Sequence, residues 1–345
     1  MQTRRISAAA LALVLALAGS IATAQSPATG AAPRNAQGKP DLSGVWSNVS
    51  LTKLERPSAF KGPTLTEAEA KRIAAADPLK AAAAADSKPS DPNAGAPPPV
   101  STLGAAHSAV FLDAGDAFGK VKGEYRTSWI VEPADGRLPL TDLARQRARE
   151  AAAMSGRMDP AGPEELAPND RCLIGSRGSG GPGMLNNVYN SNYRFLLTPD
   201  AFVVIVEMGF GLRTIPILKD KAAAQAAHGP ATLHPWMGDA TAWWEGDTLV
   251  VETVNVHPQQ GRFGPIFLSE QGRVTERLTR ASPSEIAYEF TVEDPVHYTK
   301  TWRAEMVLTA LGGEIYEYAC HEGNYAMTGI LGGARAKEAS AGSAP

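Results

Sequence analysis

The sequence predicts a mainly β protein, an antiparallel up-and-down barrel or a strongly curled sheet, with a few peripheral helices. Three observations predict it. Between residues 193 and 309, apolar and β-branched runs recur on short, turn-rich links. Two of these runs alternate with period two: Ile286, Tyr288, Phe290 and Val292 share one face, and Trp302, Ala304, Met306 and Leu308 repeat the pattern. Consecutive strands on short links make a meander, and a sheet of that size curls, since closure removes its edges.

The elements are taken in chain order. Arg4 and Arg5 precede an apolar stretch over 8–21 and the small-residue triplet Ala22-Thr23-Ala24. This pattern predicts a cleavable signal over 1–24, a mature chain starting at Gln25, and a periplasmic or secreted location. The stretch is too short to span a bilayer comfortably. Residues 25–40 read as a flexible leader. A single β-rich domain is expected over 41–340, with a low-complexity Ala, Asp and Pro excursion at 77–100 and a tail at 341–345. Residues 41–46 form a short strand. Residues 65–75 form a helix that Thr66 caps, and 141–154 a second that Thr141 caps. Residues 126–132 read as a strand ending at Pro133. Further strands are expected at 193–198, 202–208, 212–218, 241–244, 248–254, 273–280, 285–293, 301–309 and 314–320. A helix or turn segment comes next over 324–337, weakened by Gly329, Gly332 and Gly333.

The net charge of −3 and the lack of a basic run argue against nucleic acid as a partner. There is no Rossmann fingerprint, P-loop, Gly-x-Ser-x-Gly elbow or His-Glu-x-x-His. No cofactor and no metal site are assigned, the alternative being a metal held by His321 and carboxylates. No segment after the signal approaches a membrane span, and the expected partner is a small molecule. The only cysteines are Cys172 and Cys320. In an oxidising compartment they read as one disulfide, which stabilises by about 4–5 kcal/mol if unstrained. The alternative is two buried thiols that never meet.

Four constellations could carry chemistry. The glycine-rich stretch 175–183 after Arg171-Cys172 could cradle an anion, or be a plain flexible loop. The segment 316–325 gathers Glu317, Tyr318, Cys320, His321 and Asn324. In an extended chain Glu317 and His321 share a face, so both could line one cavity as general acid and base. Glu276, Glu289, Glu305 and Glu317 fall on successive predicted strands. They could form an acidic wall, or be neutralised by Arg213, Arg277 and Arg303 in a structural ion-pair network. Trp236, Asp239 and Trp244 belong to a cluster that could stack on a ligand or plug the barrel. Glu207 ends a very apolar strand. His107, His228, His257 and His297 read as surface residues in loops and turns.

Gly44-Val45-Trp46 resembles the G-x-W opening strand of lipocalins, and the meander is similar to the calycin barrel. The segments 41–46, 133–137, 169–172, Trp236-Met237-Gly238-Asp239, 244–251 and 316–324 look like a family of uncharacterised secreted bacterial proteins. That resemblance implies export and assigns no catalytic residue. A structural or envelope-interaction protein, with no closed pocket and a large apolar outer patch, is one reading, and two ligand-dependent functions are also compatible. One is an exported hydrolase, lyase or isomerase acting by carboxylate and histidine acid–base chemistry on a small organic or carbohydrate ligand in a barrel cavity. Its catalytic groups would be Glu317, His321, Glu305 and Glu207, and its ligand contacts Trp236, Asp239, Trp244, Arg213, Tyr318 and Asn324. The other is a non-catalytic barrel that binds an apolar or aromatic molecule.

Overall fold

A computed structural model describes residues 30–81, 112–113, 115–154, 159–175, 179–209, 212–261, 264–320 and 324–342. The expected signal, most of the 77–100 excursion, His107 and His321 lie outside the described residues. The first part of the chain gives β1 (Gly44–Ser47), β2 (Thr64–Leu65), α1 (Glu67–Ala75), β3 (Lys120–Val121), β4 (Glu124–Arg126), β5 (Ile130–Glu132) and α2 (Asp142–Met154). The second part gives β6 (Asn192–Leu197), β7 (Ala201–Val206), β8 (Leu212–Pro216), α3 (Lys221–Ala226) and β9 (Asp239–Glu245). It continues with β10 (Thr248–Val254), β11 (Arg273–Ser282), β12 (Glu285–Glu293), β13 (Trp302–Ala310) and α4 (Tyr325–Gly342).

Nine strands form a nearly closed barrel in the order β8-β7-β6-β1-β13-β12-β11-β10-β9. Every neighbouring pair along that order is antiparallel. The ends of the order meet in parallel: Ile217 bridges Ala242, and the Leu218 N–H donates to the Ala242 carbonyl at 2.7 Å. β5 pairs with β13 at Arg303 and Ala304, beyond the end of β1. β2, β4 and β3 make a small separate sheet against the outside of β13.

Local signals set the helix starts. Thr66 accepts from the Glu69 N–H, while the Glu69 carboxylate accepts from the Thr66 N–H, a reciprocal cap. Thr141 accepts from Ala144 N–H at the start of α2. The two alternating runs face inward as expected. Trp46, Tyr193, Phe195, Phe202, Tyr288, Phe290 and Trp302 are each at most 1% exposed, so side chains fill the barrel. At one end Arg280 lies over the Trp46 ring at 4.5 Å and donates to the carbonyls of Asp41 and Pro283.

That end, the lower rim, carries tight hairpins: 198–200, 246–247 and 283–284. The upper rim carries the described residues 207–209 between β7 and β8, 255–261 and 264–272 between β10 and β11, and 294–301 between β12 and β13. Loops at one end of a rigid scaffold are where function is usually built.

One expected strand is absent. Residues 314–320 are irregular and largely exposed. The cause is closure: β13 already has β12 and β1 as neighbours, and Leu311 N–H still bonds Val45, so no edge is open for another strand. After Gly312-Gly313 the chain instead runs up the outside of the barrel. It is held by an Arg194–Glu314 ion pair, by Tyr316 N–H to Glu207 at 3.0 Å, and by the Cys172–Cys320 disulfide.

The bridge joins residues 148 apart in sequence. Replacing both cysteines by serine should lower the unfolding free energy by up to about 5 kcal/mol, read by urea denaturation. Reductant should act on the parent protein and leave the variant unchanged.

Candidate functional site

The residues singled out by sequence do not assemble into one site. Glu317 is exposed and Tyr318 half-buried, both on the irregular segment outside the barrel. Asn324 caps α4 by accepting from Met327 N–H, and its amide donates to the Asp170 carbonyl. Glu305 faces outward from β13 and is buried under the small sheet. It pairs with Lys122 at 2.9 Å, Arg303 at 2.8 Å and Arg126 at 3.5 Å. Arg303 also pairs with Glu289 and Glu132, so Glu289 and Glu305 belong to an outer ion-pair network. Glu276 lies inside the barrel and Glu317 outside it, and the four make no acidic wall. Glu207 is buried and accepts from Asn192 and from Tyr316 N–H.

Nor do the tryptophans make one platform. Trp236 stacks on His257 at 4.0 Å near the upper rim. Trp244 faces the core from the lower end of β9, with the Lys39 ammonium 5.6 Å from its ring. Asp239 accepts from Gly229 N–H and pairs with His228, whose other nitrogen lies 3.4 Å from Glu252. His228 is thus a partly buried residue on the outside of the barrel and not a surface one.

Arg213 is fully enclosed in the barrel interior, where it meets Glu276. Arg213 Nη1 lies 3.2 Å from Glu276 Oε1, Nη2 bonds Oε2, and Nη2 donates to Thr253 at 3.2 Å. Tyr288 donates to Glu276 at 2.6 Å and accepts from Met184 N–H at 2.8 Å. Burial alone would push Glu276 up. The Arg213 charge and the bonds from Arg213, Tyr288 and Gly183 outweigh it, leaving the carboxyl below its usual range. Burial and the Glu276 charge push the Tyr288 phenol well up, so it stays a donor.

Residues 179–186, which comprise the described end of the glycine-rich stretch and the three residues after it, plug the upper mouth. Gly183 N–H does face an anion, and that anion is the chain's own Glu276, at 3.4 Å. Gly181 and Gly183 have positive φ. A side chain at Gly181 would come within 2.8 Å of Arg213 Nη1, and one at Gly183 within 3.2 Å of Phe290. Tyr193 donates to the Ser179 carbonyl and Gln260 to the Gly181 carbonyl, locking the plug. This cluster is structural in its burial.

A cleft of about 300 Å³ opens beside the plug on the upper rim. Its walls are α2 (Arg147, Glu150, Ala151 and Met154), the 255–272 connection (Pro258, Gln259, Phe267 and Leu268) and His297. His297 is buried, not the surface residue that its turn position predicts. The turn Asp294-Pro295-Val296-His297 folds the ring back onto the carboxylate. His297 Nδ1 lies 3.1 Å from Asp294 Oδ2, and its ring packs on Phe267. Arg147 Nη1 lies 2.5 Å from His297 Nε2. A guanidinium can only donate, so Nε2 accepts and the proton of the neutral ring sits on Nδ1, donated to Asp294. Asp294 also accepts from the N–H groups of Ser269, Val296 and His297 and from the Ser269 hydroxyl. Burial works to raise the Asp294 pKa, and the bonds from His297 and Ser269 overcome it, so the carboxyl titrates below its usual range. The signal that sequence offers for this pair is the Asp-Pro-x-His spacing directly after a strand. Nothing in sequence links it to Arg147 on a distant helix. Among the described residues no group of three or more His, Cys, Asp or Glu side chains is placed to hold a metal ion.

Breaking the interior pair by Glu276→Gln should destabilise by about 3–5 kcal/mol, because Arg213 is left buried without its counter-charge. Adding Arg213→Met to that variant should recover part of the loss, measured by urea denaturation as a double-mutant cycle. Asp294 and Glu276 both have lowered folded-state values. Their contribution is present above the unfolded carboxylate range and lost as pH falls through the folded values. The thermal midpoint should therefore hold from pH 7 to 5 and drop below about pH 4, monitored by circular dichroism.

No family model, curated protein or solved structure matches the chain.

Proposed function

We propose that the protein is an exported enzyme that moves a proton on a small organic ligand, with the reaction in the rim cleft rather than along the barrel axis. The observation that carries this reading is the buried Asp294–His297 pair at the wall of the cleft. A histidine whose Nδ1–H is held by a carboxylate is oriented, and its Nε2 can act as a general base. The proton passes from a C–H or O–H of the ligand to Nε2. Asp294 stabilises the imidazolium that forms, and the proton returns to another atom of the ligand. That sequence describes a lyase or an isomerase. Ser269 donates its hydroxyl to Asp294 rather than to His297, so it is not placed as a nucleophile.

The filled barrel interior supports the rim over the axis, and it weighs against a carrier that encloses its ligand between the strands. Export belongs to the reading as well. The Cys172–Cys320 bridge fits an oxidising compartment, and among the described residues no helix is long and apolar enough to cross a membrane. The expected 1–24 signal and the resemblance to secreted bacterial proteins support the same location.

Solvent exchange tests the chemistry without knowledge of the net reaction. The purified protein, incubated in D2O with a panel of small ketones, hydroxy acids and carboxylates, should place deuterium into at least one of them, read by mass spectrometry. His297→Gln should slow that exchange by at least about 100-fold while the thermal midpoint confirms folding. No exchange across the panel, or exchange undiminished in His297→Gln, overturns the reading.

A further inference from the structure

The rim cleft is mainly apolar apart from Arg147, Glu150, Gln259 and His297. Their partners decide what charge it presents. Glu150 accepts from the neutral Gln146 amide at 2.8 Å along the exposed face of α2, so it keeps its charge, and it makes no ion pair with Arg147. Arg147 has no carboxylate partner among the described residues, and its polar contact is the neutral His297 ring. It is therefore a cation at the mouth of the cleft that no carboxylate bonds, although the Glu150 carboxylate lines the same cleft one turn along α2. Asp294, the carboxylate bonded to His297, lies behind the histidine and is engaged by Ser269, Val296 and His297. At about 300 Å³ the cleft is at the small end of ligand sites.

We infer that the cleft takes a small monocarboxylate with an apolar or aromatic body, whose carboxylate binds Arg147 and draws it off His297 Nε2. This rests on the proposed function and names its substrate class. The fork of a guanidinium matches a carboxylate in a way that a single imidazole nitrogen does not, so the incoming anion is the better partner. Phe267, Leu268, Ala151 and Met154 would cover the body of the ligand. The consequence is a base that is masked in the free protein and exposed by its own substrate. Arg147 is exposed on α2, so its side chain can swing aside without disturbing the helix. Arg147 is thus a substrate-binding residue that also controls access to His297.

The test uses phenylacetate as the probe and phenylacetamide as its neutral counterpart, with calorimetry for binding and nitrogen-15 histidine labelling for His297. Phenylacetate should bind at least about tenfold more tightly than the amide. Arg147→Met should remove that preference and Arg147→Lys retain part of it, with unchanged thermal midpoints. Saturating phenylacetate should move the His297 Nε2 resonance, and the amide should not. Equal binding of acid and amide, a preference that survives in Arg147→Met, a stationary Nε2 resonance, or no saturable phenylacetate binding below about 10 mM each overturns the inference. Failure of the catalytic reading looks different: the Arg147-dependent binding and the Nε2 shift persist, while no carboxylate that binds exchanges deuterium.

Discussion

Nine strands cannot all be antiparallel neighbours around a closed ring, because an odd number leaves one pair pointing the same way. Here that pair is β8 and β9. A parallel neighbour cannot be reached by a hairpin, so the chain leaves β8 at the lower rim, passes through α3, and returns to the upper rim to begin β9. Other features depend on closure. β1 supplies the strand that joins β6 to β13, and the meander in between can use tight turns at the lower rim. Once β13 has its two neighbours, the chain beyond it has no edge to join. It runs outside the barrel, where the disulfide fastens it to the upper rim.

A filled interior then decides where chemistry can occur. The large aromatic side chains take up the axis, and the Arg213–Glu276 pair sits among them with Tyr288 and Thr253. Two buried charges are favourable only when the geometry is close and the remaining lone pairs are satisfied. The glycine-rich plug supplies part of that satisfaction through its backbone, and glycine at 181 and 183 allows the approach. A cluster so enclosed binds the chain to itself. Among the described residues a ligand has room where elements from different parts of the chain meet without interlocking, between α2 and the upper connections.

The candidate site was much less legible in sequence than the barrel. The period-two runs of β12 and β13 report a buried face directly, because each side chain's direction is set by its place in the strand. Thr66 and Thr141 mark helix starts for an equally local reason. The role of a titratable residue has no such local signature. Glu276 and Glu305 lie on strands of similar composition, yet one faces Arg213 inside and the other faces Lys122 and Arg303 outside. His297 comes after a proline turn that reads as surface, and becomes buried because α2 and Phe267 pack over it.

By itself, then, the sequence determined the strand periodicity, the helix caps, the meander and the cysteine pair that could join. These depend on contacts a few residues apart or on composition. The tertiary structure alone decided the parallel seam, the loss of the expected last strand, the burial of His297 and its meeting with Arg147. Those depend on which distant segments compete for the same edge or the same volume, a competition settled only when the barrel closes.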